Sequence, residues 1–363
     1  MLFRSLPITY LFLFQFISSP SPDLPIYIFA FLILSIYLQT TNIVDRFTIL
    51  SILCLYAVFI KITAVALLLF PIIVLIKNYK ILKRQLVKII LVGSSIIVVF
   101  ITKNTLLTGY ALFPLLFLRI DSLDYTVPSS VMNFFFSKSM LYSFYVDNAD
   151  FDTLSILDLI KHYFINNGLL GFIGIASVCT LFIIPFLLFK KRLVSSIWTI
   201  YFAFIILIFL LIFSSPQYRF YVYFTLFFSV VLLSFLISNP NQIIRLQTVS
   251  LSVVAFFLFV PISFSNLTSN ILLNKNSTFK IKNTIVPEPN SKWNSEFRGG
   301  SVGNMKYNSP LDNSFFWVTG NGELPCVNTT QIDYFHKGFS FIPQQRSNDL
   351  NDGFYAQKVN NDE

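Results

Sequence analysis

Ionisable residues next to prolines or inside apolar runs are the side chains of this sequence that could do chemistry. Asp23 lies among prolines just before an apolar run, Lys61 interrupts another run, and Arg219 follows Ser215-Pro216. A partly desolvated carboxylate can act as a general base toward a hydroxyl group, and lysine and arginine bind phosphate oxygens. Simpler explanations are a helix cap for Asp23, a cation that extends to the membrane surface for Lys61 and an interfacial anchor for Arg219.

A second set of polar residues follows the apolar run that ends near residue 102. Lys103 and Asn104 could contact an anionic substrate. Asp121 and Asp124, three residues apart, could lie on one helical face and accept a proton or bind a divalent ion, although a solvated loop also explains them. The candidate catalytic residues are therefore Asp23, Asp121 and Asp124, and the candidate substrate-binding residues are Lys61, Lys103, Asn104 and Arg219.

Histidines and cysteines are few and far apart in this chain. The two histidines are His162 and His336, and the three cysteines are Cys54, Cys179 and Cys326. Neither set has the close spacing of zinc ligands or of a disulfide framework. The sequence therefore predicts no resident metal and no cofactor.

The elements that must position the candidate residues are apolar helices. Of the 363 residues, 55% are hydrophobic and only 12% are charged, and the mean hydropathy is +0.70. Soluble domains carry about 25% charged residues, so the lipid bilayer is the expected environment. The pattern predicts an all-α, polytopic transmembrane helical bundle of about nine spans. The predicted spans are about 5–19, 24–38, 47–60, 62–76, 88–102, 168–189, 194–213, 220–238 and 247–264.

The loops between the apolar runs differ in charge in an alternating way. One set of loops holds eleven lysines and arginines against the single acid Asp45, whereas the alternate set holds six against seven acids. This distribution follows the positive-inside rule, so the net charge of +9 indicates membrane orientation and not nucleic-acid binding. We expect a bacterial inner-membrane protein with a cytoplasmic N-terminus and an exterior C-terminal tail.

Two of the predicted spans have alternative interpretations. Residues 47–76 are almost continuously apolar except at Lys61, and a single helix over them would be ~45 Å long against a hydrocarbon core of ~30 Å. A hairpin of two short helices with Lys61 at the junction is favoured. A single span would move Arg4, Arg46 and the rest of the preceding chain to the opposite side of the membrane. The run 5–19 could be a signal peptide, but the prolines that follow it make a poor cleavage site, which favours a retained span.

The rest of the chain forms an outer loop and a tail. We predict a transmembrane region over 1–264 with an outer loop over 103–167, and an exterior tail or small cap domain over 265–363. The tail is rich in Asn, Ser, Pro and Gly but keeps aromatic residues, which favours a small folded cap over full disorder. Within the loop, residues 150–164 have the pattern of an amphipathic helix along the membrane interface. The apolar face of that helix carries Ile156, Leu159, Ile160 and Tyr163.

Several short motifs resemble the C-type glycosyltransferase superfamily, whose members use polyprenyl-phosphate sugars. Lys61-Ile62-Thr63 is similar to the lysine and hydroxyl residue that members carry between two short helices. Lys103-Asn104, followed by Gly109 and Pro114, resembles a later outer loop of that superfamily. The chain resembles more closely an uncharacterised group of bacterial multi-spanning membrane proteins near that superfamily. The similar stretches are 19–25, 103–128, Leu324-Pro325-Cys326 and Gly338-Phe339.

This resemblance implies transfer of a sugar from a polyprenyl-phosphate donor to a cell-surface glycan or lipid acceptor. Cations would hold the phosphate while a carboxylate takes the proton of the acceptor hydroxyl. Superfamily members place the catalytic acid in a sizeable loop after their first span, where this chain has only 18–25, with Asp23 as its single acid. Either Asp23 has that role, or the acid belongs to an N-terminal part that this chain lacks and the product is truncated and inactive, which is the favoured expectation.

Other functional classes fit parts of the pattern. An O-antigen polymerase or ligase also has many spans and a basic outer loop, but several arginines are expected in that loop, where Arg119 stands alone. A transporter of surface polysaccharide is expected to carry charged residues at mid-span, which the runs 194–213 and 220–238 lack. A non-catalytic membrane component of surface polysaccharide assembly is the remaining alternative.

Overall fold

The chain is mostly helical over the residues that the computed structural model describes, which confirms the helical class and adds a small region of strands near the C-terminus. Two compact units are present: Met1–Phe100 with Phe135–Val253, and Ile101–Phe134 with Val254–Glu363. The described residues are 23–39, 42–144, 154–165, 169–191, 195–212, 214–236, 239–259, 295–311, 318–319 and 322–359.

Ten α-helices precede the strands within these ranges. They are α1 (Asp23–Leu38), α2 (Ile43–Ile60), α3 (Leu69–Lys77), α4 (Tyr79–Thr108), α5 (Ser129–Phe144), α6 (Ile156–Phe164), α7 (Leu169–Lys191), α8 (Ser195–Ile212), α9 (Val222–Leu236) and α10 (Pro240–Phe259). Short 3₁₀ helices at Ile62–Leu68 and Tyr218–Phe220 connect α2 to α3 and α8 to α9.

Four of these helices are long and apolar enough to cross a membrane by length and composition. They are Ile43–Ile60, Tyr79–Thr108, Gly171–Lys190 and Ser195–Ile212. The stretches Asp23–Leu38, Ile62–Lys77 and Val222–Phe235 are apolar but shorter. The predicted run 5–19 and the predicted domain boundary after residue 264 lie outside the described residues. Association with a membrane therefore follows from the apolar helices themselves.

The chain reverses direction at Lys61, as the hairpin interpretation of residues 47–76 predicts. Helix α2 ends at Ile60, and Lys61 has an extended backbone with φ −152° and ψ 118°. The 3₁₀ helix and α3 then pack back along α2. Within this reversal the Cys54 thiol donates a hydrogen bond to the carbonyl oxygen of Leu67 at 3.3 Å.

Buried aromatic rings form the centre of the first unit. Phe204 of α8 stacks on Phe224 and Phe228 of α9, with ring centroids 5.5 and 6.0 Å apart. Tyr27 of α1 and Phe70 of α3 are also fully buried. Lipid tails are as apolar as these side chains, so close packing and not exclusion of water selects this arrangement in a membrane.

The second unit contains the strands. Two antiparallel hairpins, β1–β2 (Phe297–Val302 and Met305–Pro310) and β3–β4 (Phe341–Gln345 and Phe354–Lys358), flank helix α11 (Thr329–Phe339). A Gly303-Asn304 turn, with Gly303 at φ +54°, closes the first hairpin as such turns require. These strands depart from the all-α prediction. Met305 and Tyr307 alternate with the exposed Lys306 and the half-buried Asn308, and they pack on Ile332 of α11, so the hairpin has one buried side. Residues 312–317, which hold some of the aromatic residues that favour a folded cap, lie outside the described ranges.

Candidate functional site

An ion pair between Asp23 and Lys61 lies at one end of the first unit. The Lys61 ammonium donates a hydrogen bond to Asp23 Oδ1. Asp23 is the first described residue of α1, and Lys61 lies at the reversal after α2, which packs along α1. The Asp23 side chain is only 3% exposed and that of Lys61 17% exposed. Two residues 38 positions apart thus share a partly desolvated contact.

Arg219 approaches the same carboxylate from the turn that precedes α9. Its Nη1 lies 4.0 Å from Asp23 Oδ2, and its side chain is 41% exposed. Pro216 cannot continue a helix, so the chain makes the 3₁₀ turn Tyr218–Phe220 between α8 and α9. The Tyr27 hydroxyl donates to the Arg219 carbonyl oxygen at 2.7 Å. Because Tyr27 follows Asp23 by four residues in α1, both side chains leave the same helical face.

The Phe220 ring lies beside both cations. Lys61 Nζ is 4.1 Å from the ring centroid, and Arg219 Cζ is 5.2 Å from it. An aromatic face attracts cations and lowers the cost of holding two of them close together. Asp23, Lys61, Arg219 and Phe220 are called the Asp23 cluster below.

The Asp23 cluster carries one more positive than negative charge. Burial increases from Arg219 through Lys61 to Asp23, so the least neutralised cation is also the most exposed. Arg219 Nε is buried and has no hydrogen-bond partner among the described residues. A guanidinium that is partly exposed beside a buried ion pair is suited to binding an anion such as a phosphate.

The other candidate residues belong to the second unit. Asn104, at the end of α4, donates from its side-chain amide to the Phe113 carbonyl oxygen at 3.2 Å, so it holds the loop after α4. Arg119 Nε pairs with Asp121 Oδ1 at 2.9 Å, and the Asp121 side chain is largely exposed. Lys103 is exposed. These contacts give Asn104 and Asp121 structural roles in the loop.

Asp124 is held by a residue of the C-terminal part of the same unit. Both of its carboxylate oxygens accept hydrogen bonds from the Arg346 guanidinium, each at 2.5 Å. These hydrogen bonds lower the pKa of Asp124, and they raise the pKa of Arg346. Asp124 thus fastens the loop 109–128 to the segment after β3, and a carboxylate with both oxygens engaged is poorly suited to act as a base.

We expect Arg346→Gln to raise the pKa of Asp124 toward its ordinary range, because the Arg346 hydrogen bonds are the largest cause of its lowering. A lowered carboxylate pKa stabilises the folded state above the unfolded pKa, and this contribution disappears as the pH falls through the folded pKa. The titration of Asp124 in selectively ¹³C-labelled protein measures the shift. Arg298→Gln, which alters an exposed arginine on β1, is the matched control and leaves the Asp124 titration unchanged. Equal pKa values of Asp124 in Arg346→Gln and in the wild type would contradict the pairing of Asp124 with Arg346.

Sequence reasoning missed the residues that complete the Asp23 cluster and the residue that pairs with Asp124. Phe220 follows Arg219 directly and Tyr27 lies one helical turn after Asp23, so short-range spacing could have indicated them. Arg346 carries no such signal, because it lies 222 residues from Asp124. Within the described ranges, no group of three or more His, Cys, Asp or Glu side chains is placed to hold a metal ion.

Comparison with known proteins identifies the family of this chain. A family model described as a domain of unknown function (DUF8201) matches residues 1–226, which include the whole Asp23 cluster and more than half of the chain. No curated protein and no solved structure gives a match. The chain therefore belongs to the DUF8201 family.

Proposed function

We propose that this protein is a glycosyltransferase-like enzyme of the bacterial inner membrane that transfers a sugar from a polyprenyl-phosphate donor to a surface glycan or lipid acceptor. The observation that carries this proposal is the convergence of Asp23, Lys61 and Arg219 at one end of the apolar helices. About nine spans, a cytoplasmic N-terminus and an exterior C-terminal tail would place this end at the outer leaflet, where lipid-linked sugars and acceptors meet.

The proposed reaction assigns one role to each charged residue. The acceptor hydroxyl attacks the anomeric carbon of the sugar, and the bond between that carbon and the phosphate oxygen breaks. The departing polyprenyl phosphate keeps the electron pair and gains one negative charge, which Arg219 and Lys61 stabilise. Asp23 accepts the hydroxyl proton and later releases it to water.

Binding of the donor phosphate also frees the base. In the absence of ligand Lys61 is paired with Asp23, so the carboxylate is neutralised. A bound phosphate offers both cations a second anion, and the carboxylate then has an oxygen available for a hydroxyl group. The order of exposure supports this, because an anion arriving from outside meets Arg219 before Lys61.

We expect Arg219→Gln to weaken the binding of a polyprenyl phosphate by more than about tenfold, the effect of losing one charge-assisted hydrogen bond worth about 1.5–3 kcal/mol. The measurement is titration of decaprenyl phosphate into the full chain in lipid nanodiscs, followed by native mass spectrometry. Arg245→Gln makes the same change at an exposed arginine on α10 and should leave the affinity unchanged.

Two results separate this function from its alternatives. Equal affinities of wild type and Arg219→Gln would remove Arg219 from the site and end the proposal. The second result would come from a transfer assay with a radiolabelled polyprenyl-phosphate sugar and an extract of surface glycan. If the protein binds polyprenyl phosphate tightly but transfers no label, it is a non-catalytic component, and the enzymatic assignment is overturned.

A further inference from the structure

Helix α6 has an apolar surface that the first unit does not cover. Ile156 and Leu157 are 78% and 79% exposed, and Ile160 is also exposed, whereas Leu159 and Tyr163 are partly buried. By the 100° step per residue, Asp158 and Lys161 project from a third side of the helix, which adjoins the exposed apolar side next to Leu157. The helix therefore has three sides: one against α7, one apolar and exposed, and one charged.

The position of α6 along the chain indicates what covers the exposed apolar side. Only four residues separate α6 from α7, so the two helix ends lie within about 20 Å of each other. Helix α7 contains the apolar span Gly171–Lys190, and its first residues therefore lie near a membrane surface. A short helix beside a span end, with apolar and charged sides, fits the boundary between headgroups and lipid tails.

One side chain connects α6 to the turn that carries Arg219. The Tyr163 hydroxyl donates to the Pro216 carbonyl oxygen at 2.7 Å and lies 2.6 Å from the Tyr221 hydroxyl oxygen. The Tyr163 oxygen has a single hydrogen, which goes to Pro216, so Tyr221 is the donor in the second contact. Pro216 and Tyr221 bracket the 3₁₀ turn Tyr218–Phe220, and a single hydroxyl group therefore fastens both of its ends.

The geometry points to an interfacial helix that positions a binding residue: we propose that Ile156, Leu157 and Ile160 of α6 dock on the lipid interface and that Tyr163 transmits this position to the Arg219 turn. The significance of Arg219 rests on the proposed function, but the docking and the coupling do not. Tyr27 holds the same turn from α1, through the Arg219 carbonyl oxygen. Tyr163 is a positioning residue, because it contacts the turn and not the proposed substrate.

The coupling is tested by the mobility of the turn. A nitroxide label is attached at Gln217→Cys in the full chain, with Cys54, Cys179 and Cys326 replaced by alanine, and spectra are recorded in nanodiscs of phosphatidylethanolamine and phosphatidylglycerol. Tyr163→Phe removes only the hydroxyl group. We expect the mobile spectral component to increase at least about fivefold, because the variant loses both hydrogen bonds of that hydroxyl group and the loss of one net hydrogen bond already predicts about fivefold.

Tyr201→Phe is the matched control for this experiment. The Tyr201 hydroxyl also donates one hydrogen bond within the first unit, to the Leu181 carbonyl oxygen at 2.8 Å, but it does not touch the turn. We expect the control spectrum to match that of the parent protein. An unchanged spectrum in Tyr163→Phe, or an equal change in both variants, would overturn the coupling.

The docking is tested by fluorescence quenching from lipid. An environment-sensitive fluorophore at Leu157→Cys should be quenched by phospholipids that carry a spin label near the headgroup, and the same fluorophore at Asp158→Cys should be quenched much less. Equal quenching at both positions would overturn the lipid contact, and so would weak quenching at position 157, which is the result expected if a second copy of the chain covers α6. Neither measurement involves a substrate, so failure here is distinct from a failure of the polyprenyl phosphate titration.

Discussion

Asp23→Asn is expected to lower the free energy of unfolding by about 3–5 kcal/mol, the cost of removing one partner from a buried ion pair. The reason is that Lys61 then keeps its charge in a site where its side chain is only 17% exposed. Asparagine has nearly the same shape as aspartate, so the loss reports charge and not packing. Denaturant titration of the full chain in mixed micelles measures it.

The double variant Asp23→Asn with Lys61→Gln isolates the ion pair. Replacing both charges with neutral groups removes the unpaired charge of Lys61 and leaves only the more exposed Arg219 without its anion, so the double variant should be more stable than Asp23→Asn alone. Asp45→Asn is the control, because Asp45 is an exposed acid in the first turn of α2 and its loss should cost less than about 1 kcal/mol. A double variant no more stable than the single one would show that the pair has no role in stability.

The same variants distinguish the structural role of Asp23 from its proposed chemistry. Restoring stability does not restore a base, so the double variant should remain inactive in sugar transfer. Transfer at the wild-type rate in a stable Asp23→Asn, Lys61→Gln protein would remove both residues from the proposed mechanism.

The helices of the first unit are predictable because their signal is local. Runs of apolar residues with turn-forming boundaries appear in the sequence wherever the structure has α1, α2, α7, α8 and α9. The break at Lys61 follows from a length that exceeds the thickness of a bilayer. Such signals need only neighbouring residues.

The strands of the second unit could not be predicted in the same way. Residues 297–310 alternate weakly, and the first hairpin depends on the Gly303-Asn304 turn, a signal that a Gly- and Asn-rich segment obscures. Its position is further fixed by Gln344 of β3, whose amide accepts from Asn304 N at 2.8 Å and donates to the Val302 carbonyl oxygen at 3.3 Å. Contacts over about 40 residues have no local signature.

The candidate site is predictable only in part, for a related reason. The alternation of charge between the apolar runs indicates that Asp23, Lys61 and Arg219 share one end of the helices, and their contacts in the structure agree with this. The alternation of charge assigns residues to one side of the membrane, but it does not show which of them contact each other. The placement of Phe220 beside two cations, and the contact of Tyr163 with the Arg219 turn, depend on helix packing angles, which the sequence pattern does not specify.

Gly171→Ala is expected to destabilise the first unit by about 1–3 kcal/mol, the usual cost of overpacking a close contact. A Cβ at position 171 would lie 2.1 Å from the carbonyl oxygen of Phe164, the last residue of α6. The Phe164 carbonyl group cannot rotate away as a flexible side chain can, because it is part of the helix backbone. Either α6 or α7 must therefore shift. Thermal unfolding of the full chain in nanodiscs measures the loss.

Gly93→Ala makes the same chemical change where there is room for it. A Cβ at position 93 would meet only the Leu55 side chain, at 3.7 Å, which is ordinary van der Waals contact. Alanine is favoured over glycine inside a helix by about 0.5–1 kcal/mol, so this control should be as stable as wild type or more stable. A Gly171→Ala protein as stable as Gly93→Ala would mean that α6 is not packed against the start of α7. If the packing is as close as the distance indicates, the shift of α6 also pulls Tyr163 away from Pro216, and the label at position 217 becomes mobile without any loss of a hydroxyl group.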